Sequence, residues 1–384
     1  MFLSANQGVC TGLLRWRSLL AACPNNMKCS SWLFVKAFST SHCAFINTNE
    51  VNTPLKQWIF DINPFSKVRV HLQCNISIRP LDPHSFPKAN RVLITVQGTR
   101  TDHGIIGNFK VHYDDQNKEL FILSEKLNNN VSVELNAPIK SDLYITTQGE
   151  GSVHIQKMEC DTCRVQIEQG DCVLHSVKGH HVQIHSQGGN ITGMGTIHGN
   201  VDISTTGHST VDVKKIQGTT INVSAERGPV TVKAIYAEST SISSSSGKIQ
   251  LGHVHGDAIV WNESGDIIID GTNNGFLKVS SKSGNIDAYV GDSCSAELHS
   301  QQGAVSVRVP SSMRAGVLLR GASVKVSPEI ILQHQEIASK DRMTSVTGHM
   351  NELPQGNQKI TAQADRGSIS LKTQSWFESL KLGS

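Results

Sequence analysis

Between Gly151 and Gly303 the order of hydrophobic and polar positions repeats a single motif: a polar turn that ends in glycine, followed by apolar residues two and four positions on. The motif occurs at Gly151 with Val153 and Ile155, Gly170 with Cys172 and Leu174, Gly228 with Val230 and Val232, and Gly247 with Ile249 and Leu251. It continues at Gly265 with Ile267 and Ile269, Gly284 with Ile286 and Ala288, and Gly303 with Val305 and Val307. Gly189 with Ile191 is a shortened copy, and Gly207, followed by Val211 and Val213, carries two extra residues. The eight intervals between Gly151 and Gly303 average 19 residues. A second alternating pair precedes each glycine, as at Val182 and Ile184, Ile221 and Val223, or Leu277 and Val279, and a third apolar position follows at Met158, Val177, Ile197, Ile216 and Ile235. Alternation with period two predicts strands, because successive side chains of a strand leave opposite faces.

A unit of 19 residues cannot fold by itself. Its few small apolar side chains contribute about 1.5–3 kcal/mol each on burial, while ordering its backbone costs about 1–2 kcal/mol per residue. Stacking closes the deficit. Like strands then pair in parallel, with Val230, Ile249, Ile267, Ile286 and Val305 in one inner column and Val232, Leu251, Ile269, Ala288 and Val307 in the next. Ser186, Ser244, Asn262, Ser281 and Ser300, three residues before each glycine, are expected to form a polar ladder at the corner. The predicted fold is all-β, a parallel β-helix (β-solenoid), right-handed by the crossover rule, with about 19 residues per coil. A propeller needs about 40 residues per blade, twice this period.

The pattern divides the chain into a leader at 1–49, an irregular β cap or degenerate first coils at 50–140, and the regular solenoid at 141–326. A loop insertion follows at 327–358, then a last coil and C-terminal cap at 359–384, with Trp376 and Phe377 placed to plug the open end. The leader holds Arg15, Arg17, Lys28 and Lys36, many serines and threonines, and no acid before Glu50. That composition, with Leu13, Leu14, Leu19 and Leu20 gathered on one helical side, predicts a mitochondrial targeting presequence and a matrix location. The alternative is secretion, for which the sequons at Asn75, Asn130, Asn190, Asn222 and Asn262 give slight support. The net charge of +3 on 384 residues is too balanced for a dedicated nucleic-acid binder, and the sequence holds no apolar run long enough for a spanning helix.

Further motifs carry a resemblance. Val133-Glu134-Leu135-Asn136-Ala137-Pro138, then Leu143-Tyr144-Ile145 leading to Gly149, the repeated Ser-x-x-Gly-Asp/Asn-Ile, and Val307-Arg308-Val309-Pro310 resemble the bacterial putative-adhesin family. The ending through Val346, Gly348, Lys359, Ile360, Gly367, Ile369 and Leu371 is similar to how those domains finish. The likeness spans about residues 90–372. It implies a β-solenoid domain of unknown function without a catalytic motif, and the family's adhesin label implies surface display.

Candidate chemistry is sparse. Cys160 and Cys163 form a single CxxC that could bind zinc or cycle as a dithiol, but zinc needs two more ligands at defined spacing. Repeat alignment puts Cys163 and Cys172 in core slots and leaves Cys160 at a corner, the one thiol expected to be reachable. Of 17 histidines, His180 and His181 are the other metal-ligand candidates, and surface histidine is the ordinary reading. Asp171 and Asp266 read as turn residues, and Glu168, Glu226 and Glu263 share a corner without matching acids on adjacent coils. The expected function is therefore a non-enzymatic structural and interaction protein: a rigid scaffold, without a cofactor, that binds a protein partner or self-associates. The alternative is a carbohydrate-binding or polysaccharide-acting β-helix in the secretory pathway.

Overall fold

Every inner column required by the 19-residue period is present in the computed structural model, which describes residues 53–99, 107, 109–124, 131–340, 342–351 and 358–374. The described residues form 27 strands and no α-helix, joined in one mostly parallel sheet that winds as a solenoid. The leader and the Trp376–Phe377 plug lie outside the described residues.

Register follows the repeat. Val211 pairs with Val230, Val230 with Ile249, Ile249 with Ile267, Ile267 with Ile286 and Ile286 with Val305. All six are at most 1% exposed. The interior is built from Val, Ile, Leu, Ala, Cys and a few Met, and among the described residues its least exposed aromatic side chains are Tyr289 and Phe109. Small branched side chains suit a narrow core in which each coil must fit directly on the next.

The polar ladder is also there. The Ser186, Ser281 and Ser300 hydroxyls accept the amides of Gly189, Gly284 and Gly303 at 3.0, 2.8 and 2.9 Å, and Asn262 Nδ2 donates to the Gly247 and Gly265 carbonyls at 2.7 and 3.0 Å. Each side chain satisfies a corner backbone group that the strands leave without a partner. Four of the corner glycines have a different cause from the unusual backbone angles that turns commonly require. Gly189, Gly228, Gly284 and Gly303 do not have positive φ. A Cβ at any of them would overlap the carbonyl oxygen of the equivalent residue one coil below.

Both ends depart from chain order. The coil at Lys67–Leu72 and Asn75–Pro80 lies between Glu119–Leu123 with Ser132–Ala137 on one side and Asp142–Thr147 with Val153–Gln156 on the other. At the far end, Lys359–Ala364 and Ser368–Thr373 insert between Cys294–Ser300 with Val305–Val309 and Gly316–Gly321 with Ser323–Val326. Antiparallel strands are then added to the outer coils: Lys110–Asp114, Arg91–Gly98 and Thr53–Asp61 at one end, Met343–Met350 and Leu332–Lys340 at the other. Leu332–Lys340 and Met343–Met350, inside the segment expected to be a loop insertion, thus pair as antiparallel strands. The outermost strand is exposed, and a register break between Gln333 and Glu336, with His334 at positive φ, kinks it as edge protection requires.

Candidate functional site

The sequence-derived ligand candidates do not converge. Cys163 is fully buried in the column between Leu143 and Val182, whereas His180 and His181 are exposed. His180 Nδ1 lies 3.7 Å from Asp161 Oδ1 in a solvated pair. Cys160, expected to be reachable, is only 5% exposed, with its Sγ turned toward the Lys178 carbonyl at 3.9 Å. Among the described residues no group of three or more His, Cys, Asp or Glu side chains is arranged to hold a metal ion.

The described thiols are all free and buried. A hydrogen bond with Cys160, together with burial, pushes the Cys163 thiol well above its ordinary value, and burial pushes Cys74 and Cys172 up to about 12. Thiolate is the reactive form. Alkylation of the native chain at mildly alkaline pH, mapped by mass spectrometry, is expected to modify Cys74, Cys163 and Cys172 at least roughly 100-fold more slowly than in denaturant. Fast native labelling of Cys163 would contradict its place in the core.

The acids at the corners have structural work. Asp171 Oδ1 accepts the Asn190 amide at 2.9 Å, Asn190 Oδ1 accepts that of Thr210 at 2.9 Å, and Asp266 and Asn285 repeat the relay to Asn285 and Ala304 at 2.9 Å. Glu168 and Glu226 accept the amides of Gly149 and Gly207, one coil below, at 2.8 and 2.7 Å. Glu263 pairs with Lys282 at 2.9 Å. These bonds tie successive coils together along the axis.

A groove of about 820 Å³ runs along another corner. Its floor is the column Cys160, Gly179, Gly199, Gly218 and Ala237, where the lack of bulky side chains leaves a trough. At Gly199 and Gly218 a Cβ would overlap the carbonyl of the glycine below, so the chain cannot fill the trough there. One wall presents Glu159, Lys178, His198, Gln217 and Tyr236 in register. The other presents His181, Asn200, Thr219 and Glu238. Glu159 is held by Lys140 and Lys178 at 3.2 and 3.5 Å, which, led by the Lys140 hydrogen bond, keep its carboxyl below the usual range. Tyr236 stacks on His255 with centroids 4.4 Å apart and planes 14° apart, and Lys215 Nζ lies 4.8 Å from its ring centre. Burial, then the neighbouring His253, push the His255 imidazole below its ordinary value.

The trough over Gly179, Gly199 and Gly218 is not visible in the sequence repeat. The available signal was the residue before each of them, since Lys178, His198 and Gln217 are polar at the same place in three successive coils. A buried polar cluster near the C-terminal end is likewise not signalled by the repeat. Arg308 is 8% exposed, and donates from Nε to Asp287 Oδ1 at 2.7 Å, from Nη1 to Gln374 Oε1 at 2.7 Å and from Nη2 to the Ile269 carbonyl at 3.0 Å. Asp270 lies 3.9 Å away, and its carboxyl is raised because burial outweighs the pull of Arg308.

Three solved structures share likenesses of low identity. A putative adhesin from Parabacteroides merdae is 12% identical over 82% of this chain and 95% of its own, with a TM-score of 0.36. A putative lipid-binding protein from Parabacteroides distasonis is 15% identical over 66% of this chain and 96% of its own, at 0.39. A putative adhesin from Bacteroides fragilis is 10% identical over 83% of this chain and 96% of its own, at 0.26. Residues 180–317, the regular coils from His180 to Val317, match the model of the Toastrack family, DUF4097.

Proposed function

We propose that the protein is a non-enzymatic interaction scaffold: a β-solenoid whose inner ladder fixes the spacing of outward side chains that bind a protein partner or a second copy. The observation that carries this reading is the division of labour among polar groups. The corner acids and amides serve the backbone of neighbouring coils, whereas His181, His198, Gln217, Thr219 and Glu238, along one groove, have no side-chain hydrogen bond to the described residues. Unused donors and acceptors on a rigid frame favour binding, since little order is lost when a partner takes them up.

We place the mature protein in the mitochondrial matrix, on the composition of residues 1–49. Imaging of a C-terminally tagged chain, combined with proximity labelling in cells, tests both statements. Matrix signal with a reproducible set of neighbours is the expected result. Endoplasmic-reticulum signal with glycan-shifted mobility would overturn it in favour of a carbohydrate-binding solenoid in the secretory pathway. The wall groups of the groove, polar apart from the Tyr236 ring, favour that second reading. One sequon is unavailable in either case, because Asn262 is 0% exposed and its amide is bonded within the core.

A further inference from the structure

The groove has a repeat, a length and a charge, and together they select a class of ligand. Its lining begins at Lys140 and passes through Glu159, Lys178, His198, Gln217 and Tyr236, so it crosses six successive coils. Stacked strands are about 4.8 Å apart, which makes the trough about 24 Å long. The four coils of Lys178, His198, Gln217 and Tyr236 offer both wall positions, with His181, Asn200, Thr219 and Glu238 opposite, so a ligand that uses them all must repeat at the coil spacing. An extended peptide advances about 3.3 Å per residue and turns alternate side chains away, so it falls out of step within a few coils. Equatorially linked pyranose rings advance by nearly the strand spacing and carry hydroxyls on both edges.

Charge narrows the class. Lys140 and Lys178 are already turned to Glu159, and Asp161 and Glu238 add negative charge. No cationic excess remains to attract an acidic polymer. The unengaged groups, His181, His198, Gln217, Thr219 and Glu238, are two imidazoles, one planar amide, one hydroxyl and one carboxylate, groups that exchange hydrogen bonds with sugar hydroxyls. Tyr236 is fixed by His255 and covered by Lys215, which leaves its hydroxyl and ring edge to the ligand.

We propose that the groove binds a linear, uncharged, β-linked oligosaccharide lying along the solenoid axis, one ring per coil. This rests on the carbohydrate-binding reading of the groove and not on the compartment or on a protein partner. The six-coil trough is open along its length, so it takes internal segments of a chain and does not require a free end.

Calorimetric titration of the full chain with cellohexaose, chitohexaose and mannohexaose tests the assignment, with maltohexaose as the α-linked comparison. At least one β-linked hexamer is expected to bind, with affinity rising from trimer to hexamer and level beyond it. The double variant Gln217→Ala with Glu238→Ala, both on exposed side chains, should weaken that binding by about 10-fold or more. Thr361→Ala, on a different face, should leave it unchanged. Absence of binding by all three β-linked hexamers, equal binding of maltohexaose, or insensitivity to the double variant in a chain with unchanged circular dichroism would overturn the proposal. Groove-dependent capture of extended peptides in place of the hexamers would overturn it too, while leaving the protein-scaffold reading to be judged by proximity labelling.

Discussion

Replacing Gly256 with alanine should destabilise the chain by about 4 kcal/mol or more, at the upper end of single-site effects. Gly256 has φ +95, and a Cβ there would overlap the Ala237 carbonyl oxygen, a backbone atom fixed by the coil below. Relief would require the two coils to separate, breaking the pairing of His255 with Tyr236 and of Asp257 with Ser239 on either side. Gly207 is the internal comparison. It has φ +67, but its nearest neighbour would be the Gln187 carbonyl at 3.7 Å, an ordinary contact. Gly207→Ala therefore carries backbone strain alone, about 1–2 kcal/mol. Urea unfolding followed by far-ultraviolet circular dichroism should show a far larger loss for Gly256→Ala. Equal losses would mean that the coils are not packed backbone on backbone at this corner.

The second large effect is expected at Arg308. Substitution by methionine keeps much of the side-chain volume but strips the partner from Asp270 and Gln374, both buried, and leaves the Ile269 carbonyl without its donor. Removing one member of a buried ionic cluster costs about 3–5 kcal/mol. Asp287 adds little, because its side chain is 44% exposed and water screens it. The loss should depend on pH with a definite sign. Asp270 has a raised folded pKa, so the stability it contributes is present in acid and lost as pH rises through that value. Arg308 limits the rise in the native chain. Without it the carboxyl climbs further, so the deficit of Arg308→Met should be greatest near neutral pH and shrink on acidification toward the ordinary carboxylate range. A deficit independent of pH would show that Asp270 is not the group left unpaired.

The candidate site was legible only in part, and the reason is geometric. Cys163 could be assigned to the core because parity along a strand fixes which face a residue occupies, and its repeat equivalents Val182 and Ile221 are apolar. Cys160 could not, because it sits at a corner where parity lapses, and the fold turns its sulfur inward. Arg308 illustrates the opposite failure. Parity puts it outward beside Val307 and Val309, yet Asp287, Gln374 and the Ile269 carbonyl enclose it from three separate segments. The groove is a property of spaces between side chains on six coils, which no single repeat displays.

The amino-acid order by itself determined the coil, its 19-residue period, the inner columns through Ile249, Ile267 and Ile286, and the Ser/Asn ladder at the corner. Each of these follows from local alternation plus one repeat length, because a unit too small to bury its own apolar face must stack in register on its neighbours. Tertiary structure decided which coil lies on which. Every coil presents much the same parallel edge, so pairing alone does not encode order, and Lys67–Pro80 and Lys359–Thr373 each take an inner place that sequence order would give to another segment. Those exchanges, and the antiparallel strands that close the outer coils, are set by contacts between residues dozens of positions apart, which only the assembled chain brings together.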